Sequence, residues 1–107
     1  MTKKDYIKIA NVFINAYAKN TIEKLEKTDA LNLDKVDMLI GDMQSEIMTI
    51  FENDNFRFST ETFSNYITKG LLDRYRQEFQ DDIKEYPNET KQEQRLIKIY
   101  ENHVSEF

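Results

Sequence analysis

Ile50-Phe51-Glu52-Asn53-Asp54-Asn55-Phe56-Arg57-Phe58-Ser59-Thr60-Glu61-Thr62-Phe63, running on to Lys69-Gly70, marks one helix ending, a short aromatic corner and a second helix beginning. Before the corner, apolar residues recur at 36, 39, 40, 43, 47, 50 and 51, which is a helical period. The period stops at Asn53, Asp54 and Asn55, whose short polar side chains compete for backbone groups and favour turns. Ser59 offers a hydroxyl to the free N–H groups of the next helix. Glu61 places a negative charge in its first turn, where the helix dipole favours one. Phe56, Arg57 and Phe58 are too apolar for a solvated loop, so at least one phenylalanine is expected to plug the gap. A helical hairpin around residues 50–60 follows.

Outward from the corner, the chain reads as helices throughout. Thr2 with Asp5 is a carboxylate variant of the capping box. Tyr6, Ile9, Ala10, Phe13, Ile14 and Tyr17 then give the first helix an apolar surface too broad for a single neighbour. That breadth predicts a central helix or a dimer interface, and a homodimer is expected. Asn32 and Asp34 are the candidate N-caps of the second helix, whose interior Gly41 costs about 1 kcal/mol against alanine and suggests a close helix crossing. Lys69-Gly70 reads as a cationic last turn with a C′ glycine, although Leu71, Leu72, Tyr75, Phe79, Ile83 and Tyr86 resume the period at once. Pro87 stops that segment, and Thr90 with Glu93 makes a second capping box. Leu96, Ile97, Tyr100, Val104 and Phe107 define a last helix.

The fold class is therefore all-α, a small bundle of four or five helices forming a single domain over 1–107, with boundaries near 3–27, 34–53, 60–69, 71–86 and 90–106. A break at Gly70 is favoured. The predicted core comprises Phe13, Ile40, Met43, Ile47, Phe51, Phe58 and Phe63 in the first half, with Tyr66, Leu72, Tyr75, Phe79, Leu96, Ile97 and Tyr100 in the second.

Composition narrows the function. The 107 residues hold two glycines and one proline, too few for a β-sandwich or barrel that turns every ten residues or so. With no cysteine, disulfides, Cys-ligated zinc and thiol catalysis are excluded. His103 is the one histidine, so no His pair exists for catalysis or metal binding. No apolar run approaches the ~18 residues of a membrane span, nor is there the apolar region of a signal peptide, so a cytoplasmic location in a host cell is expected. The net charge of −5 is uneven: +2 over residues 1–35, −4 over 36–70 and −3 over 71–107. An acidic field of this kind opposes generic binding to nucleic acid or anionic membrane.

Two short motifs carry a resemblance. Lys4-Asp5-Tyr6 with Ile9-Ala10, then Asp54-Asn55-Phe56-Arg57-Phe58 and Phe63, resembles a family of small uncharacterised phage and prophage proteins with patterns K-D-Y-x-x-I-A and D-N-P-R-F-D-x-x-x-F. Here Phe56 stands at the family's proline and Ser59 at its second aspartate, a substitution between two competent N-caps. The likeness spans residues 4 to 70. It implies a phage or mobile-element setting, in which small acidic proteins often bind and disable or redirect a host machine.

Chemistry-bearing groups are few. Asp81-Asp82-Ile83-Lys84 has the spacing of a nuclease acidic motif, but the flanking period is helical, whereas such motifs sit on strands. No catalytic residue, metal site or cofactor is expected. The thirteen aromatics serve chiefly as core. The expected function is non-enzymatic, stoichiometric protein binding to a basic surface of a host or phage protein, through Glu52, Asp54 and Arg57 at the corner and Asp73, Arg76, Asp81 and Asp82 after Gly70. The alternative is a nucleic-acid-associated accessory protein using Lys3, Lys4, Lys8, Lys19, Lys24 and Lys27. Of these, Lys4, Lys8 and Lys19 fall within about a 60° arc of a helix.

Overall fold

The computed structural model describes residues 2–26 and 30–105, with side chains described for 2–23 and 35–102. Among the described residues there are four α-helices and no strand: α1 (Lys3–Glu26), α2 (Ala30–Asp54), α3 (Thr60–Glu85) and α4 (Lys91–Ser105). The Tyr17–Gln44 and Asn20–Asp37 hydrogen bonds, at 2.8 and 2.7 Å, set α1 and α2 antiparallel. Bonds from Tyr75 to Thr21 and from Arg74 to Asn15 set α3 parallel to α1. In turn α4 returns along α3, tied by the Arg76–Glu101 ion pair. The two helices joined by the corner thus run antiparallel, with α1 packed against both and α4 packed along the second half of α3.

The helix ends follow their sequence signals in two places and depart from them in two. Asp5 accepts from the Thr2 backbone N–H at 2.9 Å while the Thr2 hydroxyl accepts from the Asp5 N–H at 3.4 Å, so the first capping box forms as expected. The hydrogen bonds from Thr2, backbone first and then hydroxyl, hold the Asp5 carboxyl below its usual range. Ser59 is extended, with φ −107° and ψ 113°, and accepts from the Thr62 N–H, which is the predicted cap of α3. By contrast, α2 begins at Ala30, so Asn32 and Asp34 lie inside it instead of capping it. Thr90 is buried and its hydroxyl donates to the Tyr86 carbonyl at 2.8 Å, while its N–H bonds the same carbonyl. That leaves the backbone donor Glu93 would take in a capping box already occupied.

The break expected at Gly70 is absent, because α3 is continuous from Thr60 to Glu85 and no glycine has positive φ. Gly70 serves helix packing. A β-carbon there would collide with Cδ1 of Ile14 and lie 3.1 Å from its Cγ1, and Ile14 is itself buried. The close crossing suggested for Gly41 is therefore at Gly70, where α1 meets α3. A β-carbon at Gly41 would meet only the Tyr17 hydroxyl at an ordinary 3.8 Å. Gly70→Ala is expected to destabilise the fold by up to about 2 kcal/mol, since overpacking of about 1–3 kcal/mol exceeds a propensity gain of about 1 kcal/mol. Gly41→Ala should gain about 1 kcal/mol. Urea unfolding of the two variants checks the opposite signs, and stabilisation by both would show that α1 and α3 do not cross at Gly70.

The core joins Ala10, Phe13, Ile14 and Ala18 of α1 to Phe51 of α2 and to Phe63, Ile67, Leu71, Leu72, Tyr75 and Phe79 of α3. Ile40, Ile47, Phe58, Leu96, Ile97 and Tyr100 pack against it half-buried. Two predicted core residues are corrected: Met43 is 50% and Tyr66 40% exposed. Both belong to the apolar faces that periodicity picks out, but neither face is fully covered. Val104 and Phe107 lie outside the described side chains.

Candidate functional site

At the corner, the Asn55 N–H closes the last turn of α2 on the Phe51 carbonyl at 2.9 Å, and the Asn55 side-chain oxygen accepts from the Arg57 N–H at 3.0 Å. This Asx turn, completed by the Phe58 N–H on the Asn55 carbonyl, reverses the chain within three residues. It turns Phe58 inward and Phe56 outward. The Phe58 ring lies 5.1 Å from Tyr6, 5.2 Å from Phe51 and 5.6 Å from Phe63, so Phe58 is the expected plug. Phe56 is 90% exposed, with the Arg57 guanidinium 5.6 Å from its ring centre.

Beside this plug a cleft of about 640 Å³ opens between the start of α1 and the start of α3. Tyr6, Phe58, Phe63 and Tyr66 line it, with Lys3 and Arg57 among its polar groups. The volume lies within the range of small-molecule and side-chain pockets, roughly 300–1,000 Å³. The sequence marked Arg57 but not the cleft. Tyr6 and Phe58 are separated by some fifty positions, and only the antiparallel return of α2 brings them together.

All seven predicted binding residues are exposed, but they do not form one surface. Glu52, Asp54 and Arg57 gather at the corner. Asp81 and Asp82 lie about 30 Å further along α3, at 1.5 Å per residue. Asp73 and Arg76 share one outer face, whereas Asp82 points to the opposite side from Asp73, nine residues being half a turn out of phase. Arg76 is engaged by Glu101 of α4 at 2.7 Å. None of Glu52, Asp54, Asp73, Asp81 and Asp82 forms an ion pair among the described residues.

Two further clusters escaped the sequence. Burial first, and then the charge of Asp82, raises the Glu93 carboxyl above its usual range, and its Oε2 is buried without a hydrogen bond. Asp82 and Glu93 therefore form an acidic patch across the start of α4 that sequence separation concealed. Tyr75 is fully buried, and burial pushes its hydroxyl well above the ordinary tyrosine range. It donates to the Thr21 hydroxyl at 3.1 Å. Among the lysines, Lys3, Lys4, Lys8 and Lys19 are exposed along α1, while the Lys24 side chain, Lys27 and the His103 side chain lie outside the described residues. No described helix is long and apolar enough to cross a membrane. Among the described residues no three His, Asp or Glu side chains come together as metal ligands would. No protein-family model matches the chain, and no curated protein or solved structure is significantly similar to it.

Proposed function

We propose that the protein acts by stoichiometric binding to another protein, without turnover of a substrate, and so inhibits or redirects a host machine. The supporting observation is the exposure of Glu52, Asp54, Asp73, Asp81 and Asp82 with no ion pair of their own among the described residues. Solvated carboxylates without ion pairs of their own need break no existing pair to meet lysines and arginines, and they speed encounter with a basic partner. Beside them the aromatic cleft and Arg57 supply what charge alone lacks, a pocket for an apolar anchor of the kind that dominates interface energies. A phage or mobile-element setting, implied by the motifs at residues 4 to 70, makes a host defence or nucleic-acid-processing protein the proposed target.

The test is kinetic. Against the captured partner, association is expected to slow about tenfold as salt rises from about 50 to about 500 mM, with a smaller change in dissociation. Asp81→Lys should slow association in the same sense. Asp82→Lys should do so without loss of fold, since it relieves the like charge beside Glu93. Salt-independent association, or unaltered rates in both variants, would remove the acidic end of α3 from the interface. The exposed row of Lys4, Lys8 and Lys19 supports the alternative of a nucleic-acid accessory, for which nucleic acid alone would be recovered with the tagged chain.

A further inference from the structure

Asn11 and Asn15 of α1 accept from Tyr66 and Arg74 of α3 at 3.5 and 2.6 Å, and the paired positions lie 55 and 59 residues apart. By this parallel register Tyr66 stands level with Asn11, and Ser59 with the first turn of α1, where Lys3 lies. The cleft between the two helices therefore has two unlike ends. Lys3, Arg57 and the Ser59 hydroxyl gather at one, Ala10 and the Tyr66 ring wall the other, and Tyr6 and Phe58 lie between. The space exists because Ala10, Ser59 and Thr62 are small where they face it, and Tyr66, 40% exposed, stands at its side without filling it. Among the described residues Lys3 and Arg57 alone bring charge to its wall, and neither forms an ion pair there. The nearest acids along the chain, Asp5, Glu52, Asp54 and Glu61, are not part of the wall, and Asp5 is turned back on the Thr2 N–H at 2.9 Å. A chain of net charge −5 thus keeps an aromatic cleft whose one charged end is cationic.

We propose that this cleft binds a small amphipathic anion, an aromatic or branched apolar body carrying one carboxylate. The carboxylate lies at Lys3, Arg57 and Ser59, and the body lies along Tyr6, Phe58 and Tyr66. Charge selects the sign of the ligand, since two unpaired cations meet no acid in the wall. The rings select its body, because an apolar surface left open to water gains most by covering an apolar ligand. Size selects a small molecule: about 640 Å³ exceeds any single side chain and falls among ligand pockets of roughly 300–1,000 Å³. Lys3 and Arg57 are both exposed, so each ion pair is screened and contributes little alone. Together they set a preference of about fivefold to tenfold for the anion, while the rings supply most of the affinity. Such a ligand takes the same seat as a partner protein's apolar anchor and leaves the acidic far end of α3 untouched. Its binding requires no partner protein, so this inference and the protein-binding reading can fail separately.

Titration of the full chain with 2-naphthylacetate, 2-naphthylethanol and 2-naphthylethylamine, followed by two-dimensional amide NMR, tests the proposal with one body and three head groups. The acid is expected to saturate with a Kd on the order of 1 mM or below, shifting amides around Tyr6, Phe58 and Tyr66. The alcohol should bind about fivefold to tenfold more weakly and the amine more weakly still. That order runs against the net charge of −5, which by itself would favour the amine, so it reports the local pair of cations. Lys3→Gln combined with Arg57→Gln should abolish the preference for the acid and leave the alcohol's affinity unchanged. Thr62→Trp, at an exposed position in the wall, should fill the cleft and remove binding of all three while the helical circular dichroism is retained. Absence of saturable shifts with the acid overturns the proposal, as does equal binding of acid and amine. So does a preference for the acid that survives the double glutamine change, or binding indifferent to Thr62→Trp, which would place the ligand elsewhere.

Discussion

Phe51→Ala is expected to destabilise the protein by about 3–5 kcal/mol, enough to leave a domain of ordinary stability, ~5–15 kcal/mol, only marginally folded. Phe51 is 6% exposed at the last turn of α2, and its ring, like that of Phe58, touches every other member of the corner cluster. Tyr6 and Phe58 meet it at 5.0 and 5.2 Å and Phe63 at 5.9 Å, all edge-on, an arrangement in which the positive rim of one ring faces the negative face of another. Its loss removes a large buried surface and leaves a cavity that the Asx turn and the Ser59 cap prevent from collapsing. A double-mutant cycle with Phe58→Ala should show coupling of about 0.5–1.5 kcal/mol. A cost below about 1 kcal/mol for the single change would mean that Phe51 faces solvent.

Tyr75→Ala should cost a similar ~3–5 kcal/mol, for a different reason. Tyr75 is the point at which three helices are joined. Its ring stacks on Phe79 of α3 at 6.0 Å and tilts on Tyr100 of α4 at 5.1 Å, and its hydroxyl reaches Thr21 of α1. Truncation therefore loosens the packing of Tyr100, and with it α4, onto the core. Tyr75→Phe keeps the ring and loses the hydroxyl's bond to Thr21, so its cost should be at least about 0.5–1.5 kcal/mol. Thermal unfolding should rank wild type above Tyr75→Phe and Tyr75→Phe well above Tyr75→Ala. Equal losses in the two variants would show that the hydroxyl, not the packing, holds α4.

What could be read from the chain and what could not divide along physical lines. Ser59, the Thr2–Asp5 box and the Asn55 turn are local chemistry, settled by residues within three or four positions of one another, and they form, although α2 runs through Asn53 and Asp54 before the chain turns. Gly70 was misread because glycine has two uses. The same residue closes a helix when it takes positive φ and admits a neighbouring helix when it lacks a side chain, and only the position of Ile14 distinguishes them. Asn32 and Asp34 are good caps, yet α2 begins upstream of both, at Ala30. Met43 shows the limit of periodicity, which tells which residues share a face but not whether that face has a neighbour. Ala10 and Ala18 are buried because they are small at a crossing, a role that hydrophobicity alone does not signal. In the candidate site, the exposure of all seven named residues was legible. Their division into two ends of the molecule, and the cleft between Tyr6 and Phe58, depend on contacts about fifty residues apart.

The central claim is that the protein binds another protein in fixed proportion. Affinity capture from host lysate with the tagged full chain, treated with nuclease and quantified by mass spectrometry, tests it most directly. The account predicts one basic-surfaced protein retained in constant molar ratio to the chain at about 50 mM salt and released as salt approaches about 500 mM. Recovery of nucleic acid alone, lost on nuclease treatment with no protein in constant ratio beside it, would contradict the account.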